Sequence, residues 1–158
     1  MAEHTATIRW CREHEAKFLD SRYSRAHSWS FDGGTEIRAS SSPHVVPVPM
    51  SDAGAVDPEE AFVASLSSCH MLWFLSIAAK SGFIVQEYLD KARGTMGKNS
   101  EGRVMMKSVT LSPQVTFEGD HQPSTAQIES MHHEAHENCY IASSVISDIH
   151  CHPVQDKL

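Results

Sequence analysis

At 158 residues the chain is long enough for one domain with its own core, read here as a single unit over 1–158. Charged residues make up 21% and apolar residues 41%, the balance of an ordinary folded soluble protein. The net charge of −7, with no basic block anywhere, excludes a nucleic-acid surface, which needs Lys and Arg clustered against phosphate.

The opening residues, Met1-Ala2-Glu3-His4-Thr5-Ala6, carry no positive n-region followed by an apolar stretch, so no export signal is read there. The four cysteines are widely and unevenly spaced, unlike a secreted disulfide framework. A reducing cytosol is the expected compartment. Thr5 to Trp10 alternates and predicts a strand, with Cys11 beside it as packing. Ser28–Phe31 and Glu36–Ala39 predict a hairpin across Asp32-Gly33-Gly34-Thr35, both glycines supplying positive φ. Pro43, Pro47 and Pro49 predict an extended, non-helical stretch after it.

Asp57 is a candidate N-cap, with Pro58 at the first helical position and Glu60 completing an Asp-x-x-Glu box. The helix is predicted to reach about Lys80 and to stop at Ser81-Gly82. From Ala61 to Ala79 it has no Asp, Glu, Lys or Arg and is long enough to cross a bilayer. Ser65, Ser67, Ser68, His70 and Ser76 interrupt its hydrophobicity, and no basic flank orients it, so a central helix buried in protein is expected instead of a membrane span. Met71 to Leu75 is apolar on every side and needs cover from more than one direction, which makes a dimer expected. Ile84–Gly97 and Arg103–Gly119 predict two long strands joined by a turn at Asn99–Gly102, with Pro113 marking an edge or bulge. A helix from Ser124 to about Glu137, a short helix over Ile141–Ser147 and a closing strand over His150–Val154 complete the pattern. Strand pairs at tight turns with helices between them predict an α+β fold, antiparallel sheets packed on a long central helix.

Two cysteines and the histidines carry the candidate chemistry. An apolar helix is the usual home of an inert thiol, so the bland reading of Cys69 is core packing. Cys69 also lies far beyond the first turn, where the helix dipole acts. A thiolate there needs a cation from elsewhere, and Arg22, Arg25 and Arg38 are the N-terminal candidates. Cys139 reads either as a packed cysteine or as a resolving thiol. Among eleven histidines, His132 and His136 share a helix face, His136 and Cys139 are three apart, and Cys151 lies between His150 and His152. These are candidate zinc ligands. Against them, no Cys-x-x-Cys pair occurs, and His133-Glu134-Ala135-His136 is one residue short of the His-Glu-x-x-His spacing. Solvated surface histidines are the simpler reading; no metal site or cofactor is assigned, and Cys151 is given no role. No Gly-x-Ser-x-Gly elbow, phosphate loop or dinucleotide fingerprint occurs.

The segment Asp57-Pro58-Glu59-Glu60-Ala61-Phe62-Val63-Ala64-Ser65-Leu66-Ser67-Ser68-Cys69 resembles the Asn/Asp-Pro-Glu-Glu/Gln … Cys segment of the OsmC/Ohr family, the osmotically induced and organic-hydroperoxide-resistance proteins. Ala135-His136-Glu137-Asn138-Cys139 resembles that family's Ala-x-x-x-Cys segment, and the element order agrees over nearly the whole chain. Tyr140 stands where the family usually has Pro. The resemblance implies an intertwined homodimer of α+β subunits in the cytoplasm, with a thiol-dependent peroxidase site at the subunit interface and no cofactor. It implies Cys69 as the peroxidatic thiol, Cys139 as the resolving thiol and Glu59 as the site carboxylate. Arg25 matches the site arginine, with Arg22 as runner-up. An organic hydroperoxide is the implied substrate, and a dithiol, with the lipoyl type as candidate, the implied reductant. Ten residues of unbroken helix separate Glu59 from Cys69 by about 15 Å. Arg25 bridging them, a bent helix, or a carboxylate from the other subunit each meets that constraint. A family fold that binds a small ligand or a metal, with little peroxidase activity, is the alternative function.

Overall fold

The computed structural model describes residues 2–154. It divides into two units at Ala61/Phe62, within the first turn of the long helix, and each is taken by itself. In the first, β1 (Ala6–Arg9), β2 (His27–Phe31) and β3 (Glu36–Ala39) form an antiparallel meander in which Trp29 pairs with both Ile8 and Ile37. The β2–β3 turn is closed by Phe31 N–H donating to Thr35 O at 3.0 Å, and of the two glycines expected at positive φ only Gly34 adopts it, at 83°. The proline stretch is folded into turns rather than extended. Val45 and Val46 donate to Ser42 O, and Met50 donates to Pro47 O. The buried Ser42 hydroxyl also accepts from His44 N–H at 3.2 Å, a local serine turn that outcompetes extension. A parallel bridge from Ala39 to Val56 then delivers the chain to Asp57.

The helix start is as expected: Glu60 N–H donates to Asp57 Oδ1 at 2.8 Å, and Asp57 N–H donates back to Glu60 Oε2 at 3.2 Å. Helix α1 runs Pro58–Lys80 and ends where Gly82 takes φ 80° and Phe83 N–H donates to Ala78 O. By length and composition α1 could cross a bilayer. Within the second unit it instead buries one stripe, Leu66, His70, Phe74, Ile77 and Ala78. The rest is not covered, as burial all round would require: Leu72 is 60% exposed and Trp73 half-buried.

The two long predicted strands are each broken into two: β4 (Ile84–Asp90), β5 (Arg93–Lys98), β6 (Val104–Leu111) and β7 (Pro113–Glu118). The crease has a physical cause. Asp90 Oδ1 takes the Ser112 N–H at 2.7 Å, Asp90 Oδ2 takes the Ser67 hydroxyl at 2.5 Å, and Pro113 has no N–H to offer. The ladder therefore stops there, β4 pairing with β7 and β5 with β6 in separate antiparallel sheets. Helix α2 (Thr125–Asn138) opens on a capping box in which Ser124 and Gln127 serve each other. The short helix shrinks to one 3₁₀ turn, Ala142–Ser144. The last strand, β8 (Asp148–Cys151), starts two residues earlier than expected and runs parallel to β6, so that sheet is mixed.

One core joins Phe74, Ile77 and Ala78 to Met131 and Ala135 of α2 and to Val85, Val115 and Phe117 of the β4–β7 sheet. A second joins Leu66 to Val109, Leu111 and Ile149 of the other sheet. α1 packs against β5 at Gly94, where an added Cβ would lie 2.6 Å from both Val63 Cγ2 and Met106 Sδ. Gly94→Ala is expected to destabilise the protein by about 1–3 kcal/mol through overpacking, read from urea unfolding. An unchanged midpoint would mean that the helix can lift off the sheet freely.

Candidate functional site

Cys69 sits mid-way along α1, half-buried, and Cys139 is the buried C-cap of α2. The α2 register is set at its start by Ser124, and Cys139 N–H closes its end on His136 O. That register brings the two thiols near enough for Cys69 to act on Cys139, although seventy positions separate them in the sequence. Burial pushes the Cys139 thiol up to about 11, the neighbouring Cys69 thiol adds to this, and the Ala142 N–H, 3.4 Å from the sulfur, opposes it. Both cysteines are free thiols. Beside them the edge of the Tyr140 ring meets Trp73 at 5.6 Å.

Arg25 and Glu59 belong to the first unit. The Arg25 guanidinium donates to Ser21 O at 2.7 Å and to Tyr23 O, and lies 3.8 Å over the Tyr23 ring. Tyr23 in turn packs in an aromatic cluster with Trp10 and Phe18. Glu59 is half-buried in the first turn of α1, and its Oε2 is buried with no hydrogen-bond partner among the described residues. Arg22 is exposed, and Arg38 pairs with Asp52 at 3.3 Å.

A second cluster was only partly legible in the sequence. His70, on the buried stripe of α1, shares a 3.0 Å hydrogen bond from Nε2 to His132 Nδ1 of α2, and the rings stack. Cys151 Sγ of β8 lies 3.7 Å from the same His70 nitrogen. The histidines are 1% and 3% exposed. Burial lowers His70 to about 4, with His136 adding to this and Asp90 opposing, and lowers His132 to about 3, with His70 adding to it. Both rings are therefore neutral near pH 7. Burial, then Asp90, pushes the Cys151 thiol up to about 12, and burial likewise raises the Tyr88 hydroxyl. The remaining ring nitrogens, His70 Nδ1 and His132 Nε2, have no partner among the described residues. Each such buried polar atom costs about 1–3 kcal/mol. The ligand pairs read from spacing alone are not the ones assembled: His136 is half-buried beside the cluster, His133 pairs with Glu137 at 3.4 Å on the surface, and His150 and His152 stack outside it. His70 carried a usable signal, since it falls four residues from both Leu66 and Phe74 on the apolar stripe.

Residues 51–152 match the family model described as OsmC-like protein. The chain belongs to the OsmC-like family. An OsmC-like protein of unknown function from Vibrio cholerae is 55% identical, with a TM-score of 0.96 over 98% of this chain and 100% of that one. The organic hydroperoxide resistance protein OhrB of Bacillus subtilis shares the fold at 16% identity, with a TM-score of 0.65 over 97% of this chain and 98% of its own. An organic hydroperoxide resistance protein from Elizabethkingia anophelis shares it at 14% identity and a TM-score of 0.67, over 97% and 94% of the two chains. No curated protein sequence matches. The OsmC-like α+β architecture expected from the sequence is thus the fold of this protein, and hydroperoxide resistance is named among proteins that share it.

Proposed function

We propose that this OsmC-like protein is a cysteine peroxidase that reduces organic hydroperoxides in the cytoplasm. One observation carries the reading: Cys69 and Cys139, the cysteines of the two family-like segments, are neighbours in the fold, near enough for the Cys69 thiol to act on the Cys139 thiol. The Cys69 thiolate attacks the distal oxygen of the hydroperoxide, breaking the O–O bond. The alkoxide leaves and is protonated to the alcohol, and Cys69 becomes a sulfenic acid. The Cys139 sulfur then displaces water from it, forming the Cys69–Cys139 disulfide, and an external dithiol of lipoyl type restores both thiols by exchange. Burial keeps the Cys139 thiol protonated near neutral pH, which leaves the first attack on the peroxide to Cys69.

Arg25 is assigned to stabilise the Cys69 thiolate and Glu59 to hold the guanidinium, within an intertwined homodimer. The unpartnered Oε2 of Glu59 supports a role as anchor for a cation. The exposed Leu72 and half-buried Trp73 on α1 support a second subunit covering that face. Phe62, Met71 and Trp73 give the surroundings of Cys69 an apolar character that favours an organic peroxide over hydrogen peroxide. Thiol titration after one equivalent of cumene hydroperoxide tests the reading. The four free thiols are expected to fall rapidly to two. Slow or no loss would favour a ligand-binding member of the family with little peroxidase activity.

A further inference from the structure

We propose that His70, His132 and Cys151 bind a divalent transition-metal ion of the zinc class, at a site separate from the Cys69–Cys139 pair. One candidate ligand atom from each residue lies within 4.8 Å of the others. The His70 Nε2 to His132 Nδ1 separation is 3.0 Å, and His70 Nε2 to Cys151 Sγ is 3.7 Å. Ordinary zinc–nitrogen and zinc–sulfur bonds in a tetrahedron place those edges at about 3.3 and about 3.6 Å. Those two edges need a few tenths of an ångström of adjustment, and the third, His132 to Cys151, which lies within 4.8 Å, closes by about 1 Å at most through side-chain rotation.

The three ligands come from three different elements, α1, α2 and β8, so the packing of the unit holds them. Two imidazoles and a thiol are the donor set that borderline-soft cations select over calcium or magnesium. Burying two imidazoles for a single shared hydrogen bond gains little; a shared cation gains a coordinate bond from each ring. The Asp90 carboxylate acts electrostatically on both His70 and Cys151 and supplies negative charge behind the site. Cys151 also borders a cavity of about 250 Å³ whose other walls include Glu129, His132 and His136. That cavity is the entry path and leaves the fourth coordination position open, as in sites where a metal meets an exchangeable ligand. On binding, the Cys151 thiol gives its proton to solvent and becomes a thiolate ligand; no electron is transferred.

The test uses the reduced, untagged full chain, stripped of metal by a chelator and titrated with Zn(II) against a chromophoric chelator, and in parallel with Co(II). One equivalent of tightly held zinc is expected, and a cobalt spectrum with thiolate-to-metal charge transfer and the intense visible bands of a tetrahedral site. Cys151→Ser, which preserves volume, should weaken binding by about 100-fold or more and abolish the charge-transfer band, while circular dichroism confirms its fold. Cys139→Ser should bind as the parent does, which keeps this outcome independent of the peroxidase reading. No cobalt spectrum in the parent, or equal affinity in Cys151→Ser, overturns the site.

Discussion

Cys69→Ser is expected to lower hydroperoxide turnover by on the order of 10³-fold or more, because the substitution removes the atom that accepts the peroxide oxygen and no other group supplies the covalent step. Cys139→Ser should behave differently. Its Cys69 still forms a sulfenic acid, so one equivalent of alcohol is released at the parental rate, and turnover then stalls until an outside thiol attacks. Rapid-mixing alcohol release together with sulfenic-acid trapping distinguishes the two variants. The pattern depends on Cys139 being the thiol that neighbours Cys69. Full turnover in Cys69→Ser would end the peroxidase reading, and unimpaired multiple turnover in Cys139→Ser without added thiol would end the resolving role.

The second large effect is acid sensitivity. His70 and His132 are held near 4 and 3 in the folded protein, against 6.5 as the ordinary value. Above about pH 6.5 the rings are neutral in both states, and their contribution to stability is fully present. As the pH falls below that value, the unfolded chain binds protons that the folded one refuses, so stability is lost progressively down to the folded values. Each histidine adds up to about 1.4 kcal/mol per pH unit to the slope, and the pair on the order of 4–5 kcal/mol between about pH 6 and 4. Carboxylates also contribute in that range, so the informative quantity is the difference from His132→Leu, measured by urea unfolding with a chelator present. The variant should lose about half of the histidine slope. Identical pH profiles for parent and variant would show that His132 titrates normally in the fold.

The long helix was legible because its signals are local: Asp57, Pro58 and Glu60 cap it within one turn, Gly82 ends it, and no charge interrupts it between. The same holds for α2, whose Ser124 and Gln127 sit three residues apart. The strand breaks were legible only in part, Pro113 marking the second as an edge or bulge. Nothing local in Ile84–Gly97 says that Asp90 will take the Ser112 amide and the Ser67 hydroxyl, twenty-two and twenty-three positions away. The stretch Pro43–Pro49 turns instead of extending because the Ser42 and Pro47 carbonyls each accept the amide N–H groups of the residues three and four positions on, contacts that proline content alone does not announce. The histidines illustrate the same limit: spacing on α2 and β8 suggested partners within each element, whereas His132 and Cys151 meet at His70 of α1.

By itself, the sequence determined the helices, the hairpins, the family and the two cysteine-bearing segments, because caps, turn residues and short motifs act over a few positions along the chain. Only the tertiary structure decided which thiols are neighbours, where the hairpin creases and which imidazoles are buried together. Those outcomes depend on side-chain contacts closed over dozens of residues, whose geometry is set by how α1, α2 and the sheets of the second unit pack and not by any neighbour in the sequence.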